Sequence, residues 1–178
     1  MGRHFTIAGD ERTYKNVQVG PFFSDIFCHG RLHMNVLIAQ GMAGAFLLIS
    51  LIHLYWAAGG KRGSDAAIPQ VPGRRPGELE PAFKPSGFAT LLVAVGLLLI
   101  AMLVCLRVGL YLPTVSHPAL QWVISAMALL MFARAIGDSN LVGFFKEVSG
   151  SRFARLDTLF YSPLCVVLGA GLLVVAWN

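Results

Sequence analysis

Charge is scarce in this sequence. Of its 178 residues, 13% are Asp, Glu, Lys or Arg, while 56% are hydrophobic. A soluble domain carries about 25% charged residues. A fold in water with so few charges has too little polar surface to cover itself. A bilayer removes that demand, because most of the surface can stay apolar. The 14 Lys and Arg against 9 Asp and Glu give a formal net charge of +5. These basic residues flank apolar runs and form no continuous stripe, which argues against a nucleic-acid partner and fits attraction to the anionic headgroups of membrane lipids.

Cysteine is also sparse. Cys28, Cys105 and Cys165 form no CxxC pair, so neither a thioredoxin-like nor a zinc motif is present. In a four-span chain Cys105 and Cys165 differ in depth by more than ~10 Å, beyond disulfide reach. His4, His29, His33 and His117 are scattered without metal-ligand spacing, and His53 has no second histidine on its side to share a haem. No metal site is expected, and no nucleophile–base constellation is evident.

Long apolar runs are what the sequence does have. The runs at about 36–58 and 158–177 contain no charge, that at 88–110 holds only Arg107, and that at 118–136 holds only Arg134. A spanning helix needs ~20 predominantly apolar residues. Backbone groups in lipid must be satisfied within a helix or a closed barrel, and these runs lack the alternation of barrel strands. The expected fold class is therefore all-α, a polytopic membrane protein built as a four-transmembrane-helix bundle. The third run spans when Arg134 snorkels to the headgroups, near a helix end where the charge costs less than the ~3 kcal/mol of a central arginine. Failing that, it is re-entrant and three spans remain.

Local punctuation sets the boundaries. Gly59-Gly60 followed by Lys61-Arg62 closes the first helix, and Pro118 suits the first turn of the third. Asp157 is expected to N-cap the fourth helix, and Pro163 to kink it. Lys61 to Ser86 forms a Pro/Gly/Arg-rich loop. The stretch from Gly137 to Leu156 mixes Phe144, Phe145 and Phe153 with Lys146, Arg152 and Arg155, and reads as an interfacial segment on the membrane. Residues 1–33 read as a polar N-terminal arm, distinct from a membrane domain at 34–178. Met34 immediately precedes the first span and is a candidate natural start, which would make the arm non-native; the alternative is a genuine extramembrane arm. Gly41 with Ala45, and Gly169-Ala170-Gly171, are small residues that permit close helix packing, within the chain or in a homo-oligomer or with a membrane protein partner.

Orientation follows from basic residues. With four spans, nine of them (Lys61, Arg62, Arg74, Arg75, Lys84, Arg134, Lys146, Arg152 and Arg155) share one side and five (Arg3, Arg12, Lys15, Arg31 and Arg107) the other. The positive-inside rule places the nine in the cytoplasm. The expected location is the cell inner membrane, multi-pass, with both termini outside the cytoplasm.

Several stretches together are distinctive: His53-Leu-Tyr-Trp-Ala-Ala-Gly-Gly60, Ala67-Ile-Pro69, Arg134-Ala-Ile-Gly-Asp138, Val142-Gly-Phe-Phe-Lys146 and Phe153-Ala-Arg-Leu-Asp-Thr-Leu-Phe-Tyr-Ser-Pro-Leu-Cys165. Over about residues 39–177 the chain resembles a family of small bacterial membrane proteins known only as a domain of unknown function. The resemblance implies a four-helix membrane protein and lends no activity.

Those same stretches gather the polar residues of the membrane domain at one boundary. His53, Tyr55, Trp56, Arg134, Asp138, Arg155, Asp157 and Tyr161 are the candidate ligand-binding residues. Ionisable groups within spans are costly and often functional. His53 offers a base or proton carrier, Arg134 and Arg155 a grip on a carboxylate or phosphate, and Asp138 or Asp157 a partner that orients His53. The plainer alternative is an aromatic belt, an Arg134–Asp138 helix pair and a capping Asp157. Three functions compete. The first is a non-enzymatic membrane protein binding a small amphiphile or a partner protein. The second is a membrane-embedded enzyme acting on a lipid or isoprenoid through His53 and an aspartate. The third is a transporter or channel component, disfavoured because no span carries a charge at its midplane.

Overall fold

The computed structural model describes residues 21–75, 78–111, 113–137, 141–148 and 150–178, with side chains from residue 34 onward. The elements are α1 (Pro21–Ala57), α2 (Ser64–Ala67), β1 (Gln70–Pro72), β2 (Leu79–Pro81), α3 (Gly87–Val108), α4 (Pro118–Ile136), α5 (Arg152–Leu156), a π-helical turn (Asp157–Tyr161) and α6 (Ser162–Trp177). Four helical stretches are long and apolar enough to cross a membrane: Met34–Ala57, Gly87–Val108, Pro118–Ile136 and Arg152–Trp177. The all-α, four-span architecture expected from hydropathy is the one observed.

Most helix ends follow the local chemistry. The N–H groups of Gly59 and Gly60 bond back to the carbonyls of Trp56 and Tyr55, at 3.0 and 2.9 Å, and Gly59 takes φ 94°, a left-handed closure that glycine adopts without strain. Ser86 Oγ accepts from Ala89 N–H at 3.1 Å and starts α3. His117 Nδ1 accepts from Ala119 N–H at 3.1 Å, with Pro118 in the first turn of α4. The first helix begins at Pro21, inside the segment expected to be an arm and ahead of the apolar run. Proline suits a first helical turn, and helix propensity continues where hydropathy does not.

The fourth span departs from expectation. Its helix starts at Arg152, because Ser151 supplies the cap: its Oγ accepts from Ala154 N–H at 3.0 Å. Asp157, expected as the N-cap, lies inside the helix and is fully buried. From Asp157 to Tyr161 the backbone widens into a π turn, with Ser162 N–H bonded to the Asp157 carbonyl. Pro163 has no N–H to offer, and its ring crowds the carbonyl one turn back; the wider turn accommodates both. The expected kink is thus taken up as a π turn. The segment expected to lie along the interface from Gly137 to Leu156 is likewise two things. Its end is helical, and its earlier part folds back on the bundle, with Phe144 N–H bonded to the Ala135 carbonyl at 2.9 Å.

Packing joins α1 to α3 and α4 to α6, and the two pairs meet mainly through α1 and α6. Phe46, Val104, Ile124, Ala128, Leu172 and Val175 form the centre of the core. Between helices in lipid, close packing and polar links replace the exclusion of water as the cohesive terms. Ser50 Oγ donates to the Ala94 carbonyl at 2.8 Å, buried between α1 and α3. At the far end, Arg107 Nη2 donates to the Ala176 carbonyl at 3.0 Å, where the negative end of the α6 dipole favours a cation. Outward-facing Leu48, Leu51, Leu92, Leu98, Leu129 and Leu130 leave an apolar belt far too extensive for a monomer in water.

Candidate functional site

At the end of the bundle that carries the long loops, the two helix pairs leave a cleft of about 740 Å³ between them, within the range of small-molecule sites. Each helix contributes one face at helical spacing. From α1 come Phe46, Ile49, His53 and Trp56; from α3, Val93 and Leu97; from α4, Met131 and Arg134. The π turn contributes Phe160 and Tyr161, and α6 adds Leu164, Cys165 and Leu168. Arg62, Gly63, Ala66 and Ala67 roof it over.

The roof is tied down at several points. Trp56 Nε1 donates to the Arg62 carbonyl at 2.9 Å, and Arg62 N–H donates to the Tyr55 hydroxyl at 3.4 Å. Tyr161 donates its hydroxyl proton to the Ala66 carbonyl at 3.2 Å. Asp65 on α2 pairs with Arg152 on α5 at 3.0 Å, an exposed contact of small energetic weight. Tyr55 itself does not line the cleft. Its ring folds over Gly60, where an added Cβ would fall 2.3 Å from Cζ and the exposed ring would swing aside.

His53 Nδ1 lies 2.8 Å from the Ile49 carbonyl one turn back. A carbonyl only accepts, so Nδ1 carries the proton, and a neutral ring keeps Nε2 as an acceptor. The ring packs edge-on against Trp56 at 5.2 Å between centroids.

Arg134 forms the electrostatic centre. Its Nη2 donates to Asp157 Oδ1 at 2.8 Å. The other oxygen, Oδ2, accepts from Gly143 N–H at 2.8 Å and from Lys146 Nζ at 3.3 Å. Lys146 also reaches the Gly143 carbonyl at 3.0 Å and the Thr158 hydroxyl. Asp157 is 0% exposed and Lys146 7%, whereas Arg134 stays 33% exposed on the cleft side. Both oxygens of this buried carboxylate are therefore hydrogen-bonded. Gly143 takes φ 87°, and an added Cβ would lie 2.5 Å from both Cα and N of Gly137. Two glycine backbones therefore touch, and that contact aims the Gly143 N–H at the carboxylate.

Of the residues proposed from sequence, the fold brings His53, Trp56, Arg134 and Tyr161 to one cavity. Asp157 stands behind Arg134 instead of beside His53, so it positions the arginine and leaves the histidine alone. Arg155 is exposed and faces a separate shallow depression with Gly150 and Arg152. Asp138 lies outside the described residues; the described partner of Arg134 is Asp157 and not its helix neighbour. Arg62, Lys146 and Gly143 were not singled out. The basic pair after Gly59-Gly60 pointed to topology, and the Val142–Lys146 stretch carried no local sign of a carboxylate partner. Among the described residues no group of three or more His, Cys, Asp and Glu could hold a metal ion, and Cys105 and Cys165 are both free thiols.

No curated protein and no solved structure matches the chain. Residues 46–172 match a family model, and these include every residue that ties Arg134 and Asp157 together; the chain belongs to the family described as protein of unknown function (DUF3995).

Proposed function

We propose that this protein is a multi-pass inner-membrane protein that binds a small amphiphile in the cleft between its two helix pairs. The observation that carries this reading is the composition of the cavity. Its walls are aliphatic and aromatic side chains of four spans, and its polar groups gather at one end under the roof. An apolar chain along the walls with a polar head beneath Arg62–Ala67 satisfies both. The positive-inside rule, applied to the basic loops, supports a cytoplasmic location for this end, with both termini outside.

A membrane enzyme acting on a lipid or isoprenoid is the second reading, favoured by His53, which lines the cleft with its Nδ1 held on the Ile49 carbonyl. Against it, Asp157, one of the two aspartates considered as a partner for His53, is fully engaged by Arg134, Lys146 and Gly143.

Trp56 gives the test. The protein is placed in phosphatidylcholine nanodiscs and titrated with monododecanoylglycerol carrying a brominated chain. The expected result is Trp56 quenching that saturates at one ligand per protein, is absent in Trp56→Phe and is reduced when the cleft is filled by Leu97→Trp. Quenching that rises linearly with bromolipid content, as from bulk lipid, rejects the site.

A further inference from the structure

The cleft carries cations and, among the described residues, no acid. Arg62 and Arg134 line it, and no described Asp or Glu does. Arg62 has no carboxylate within ion-pair distance among the described residues. Arg134 is the more telling group. Its Nη2 is spent on Asp157, while Nη1 is buried and has no hydrogen-bond partner among the described residues. Asp157 does not satisfy it, because the carboxylate already takes Lys146 and Gly143 on its second oxygen. Two cations share that one carboxylate, so the cluster keeps a formal charge of +1. Arg134 thus brings net positive charge and a part-exposed side chain to an acid-free cleft, and an oxyanion is the partner whose geometry suits a guanidinium best.

Resting on the amphiphile reading above, we infer that the ligand is a single-chain amphiphile with an oxyanion head, a phosphate monoester or carboxylate. The head sits against the exposed third of the Arg134 side chain beneath the roof with Arg62 beside it, and the chain runs between the walls formed by Phe46, Leu97 and Leu168. Lys146 and Asp157 do not line the cleft; they hold the guanidinium from behind.

The experiment is a headgroup comparison by the same Trp56 quenching, with brominated dodecyl phosphate, brominated monododecanoylglycerol and inorganic phosphate as a competitor. Dodecyl phosphate is expected to bind about tenfold or more tightly than the glyceride, the worth of one charge-assisted contact. Arg134→Lys keeps a cation for Asp157 but has no second nitrogen, and Arg62→Gln removes an exposed charge. Each is expected to erase most of that ratio by weakening dodecyl phosphate far more than the glyceride. Inorganic phosphate is expected to compete only weakly. Equal affinity for both amphiphiles, or a preference that survives both substitutions, overturns the oxyanion assignment and leaves the cleft reading standing. Phosphate competing as well as dodecyl phosphate overturns the amphiphilic part of the assignment. If neither amphiphile gives saturable quenching, the cleft reading itself fails. Should Arg134→Lys fail to fold, Arg62→Gln decides the matter.

Discussion

Arg134 on α4 and Asp157 in the π turn of the fourth span meet at 2.8 Å, and the carboxylate between them is fully buried. The pair fixes where α4 ends against the last helix, and Lys146 and the Gly143 N–H bring the intervening loop to the same point.

Replacing Asp157 with Asn leaves Arg134 and Lys146 facing each other without a counter-charge. Breaking one partner of a buried pair costs on the order of 3 kcal/mol. The expected outcome is a large drop in the thermal unfolding midpoint in detergent. Arg155→Gln, an exposed change outside the cluster, is expected to leave the midpoint unchanged.

Gly143 and Gly59 separate strain from collision. Both have positive φ, but only Gly143 has backbone where a Cβ would go. Gly59→Ala is expected to cost about 1 kcal/mol, and Gly143→Ala about 3 kcal/mol because the loop must also shift away from Gly137. Comparable losses for the two variants, measured by unfolding in the same micelle, would remove the close approach as the reason for Gly143.

Polar and apolar contacts between α1 and its neighbours differ in weight. Ser50→Ala removes the bond to the Ala94 carbonyl and is expected to cost about 0.6 kcal/mol, since that carbonyl belongs to a helix already. Phe46→Ala empties a fully buried position and is expected to cost about 3 kcal/mol. Equilibrium unfolding of the two variants ranks them.

Phe145 is 79% exposed beside Phe144 in the loop after α4. A pair of aromatic rings here is expected to anchor the loop at headgroup depth. A Phe145→Trp variant, read against Trp56, Trp122 and Trp177 each replaced by Phe, is expected to emit at shorter wavelength in vesicles than free indole in water. Emission at the wavelength of indole in water would place the loop clear of the membrane.

The spans were legible in the sequence because a bilayer demands ~20 apolar residues and tolerates few charges. Gly59-Gly60 and Pro118 were legible because their conformations are dictated locally. Asp157 was not. An aspartate ahead of an apolar run looks like a cap, and only the cap already present at Ser151 moves the helix start past it. Its partners Arg134 and Lys146 come from another helix and from a loop, contacts with no periodicity to reveal them. His53, Trp56 and Tyr161 were found together because each sits near the same end of its span, whereas Tyr55 faces another way on the same turn as Trp56. Depth can be counted along the chain, but facing direction depends on how the helices pair.

Cys165 lines the cleft and Cys105 does not, which gives the most direct test of occupancy. The measurement is the rate of labelling by a small uncharged maleimide, in nanodiscs, with Cys28 and Cys105 replaced by Ser. Dodecyl phosphate at about ten times its dissociation constant is expected to slow Cys165 labelling about tenfold by mass action, with no change in a control that retains Cys105 alone. Equal rates at Cys165 with and without the amphiphile would contradict a binding site between the helix pairs.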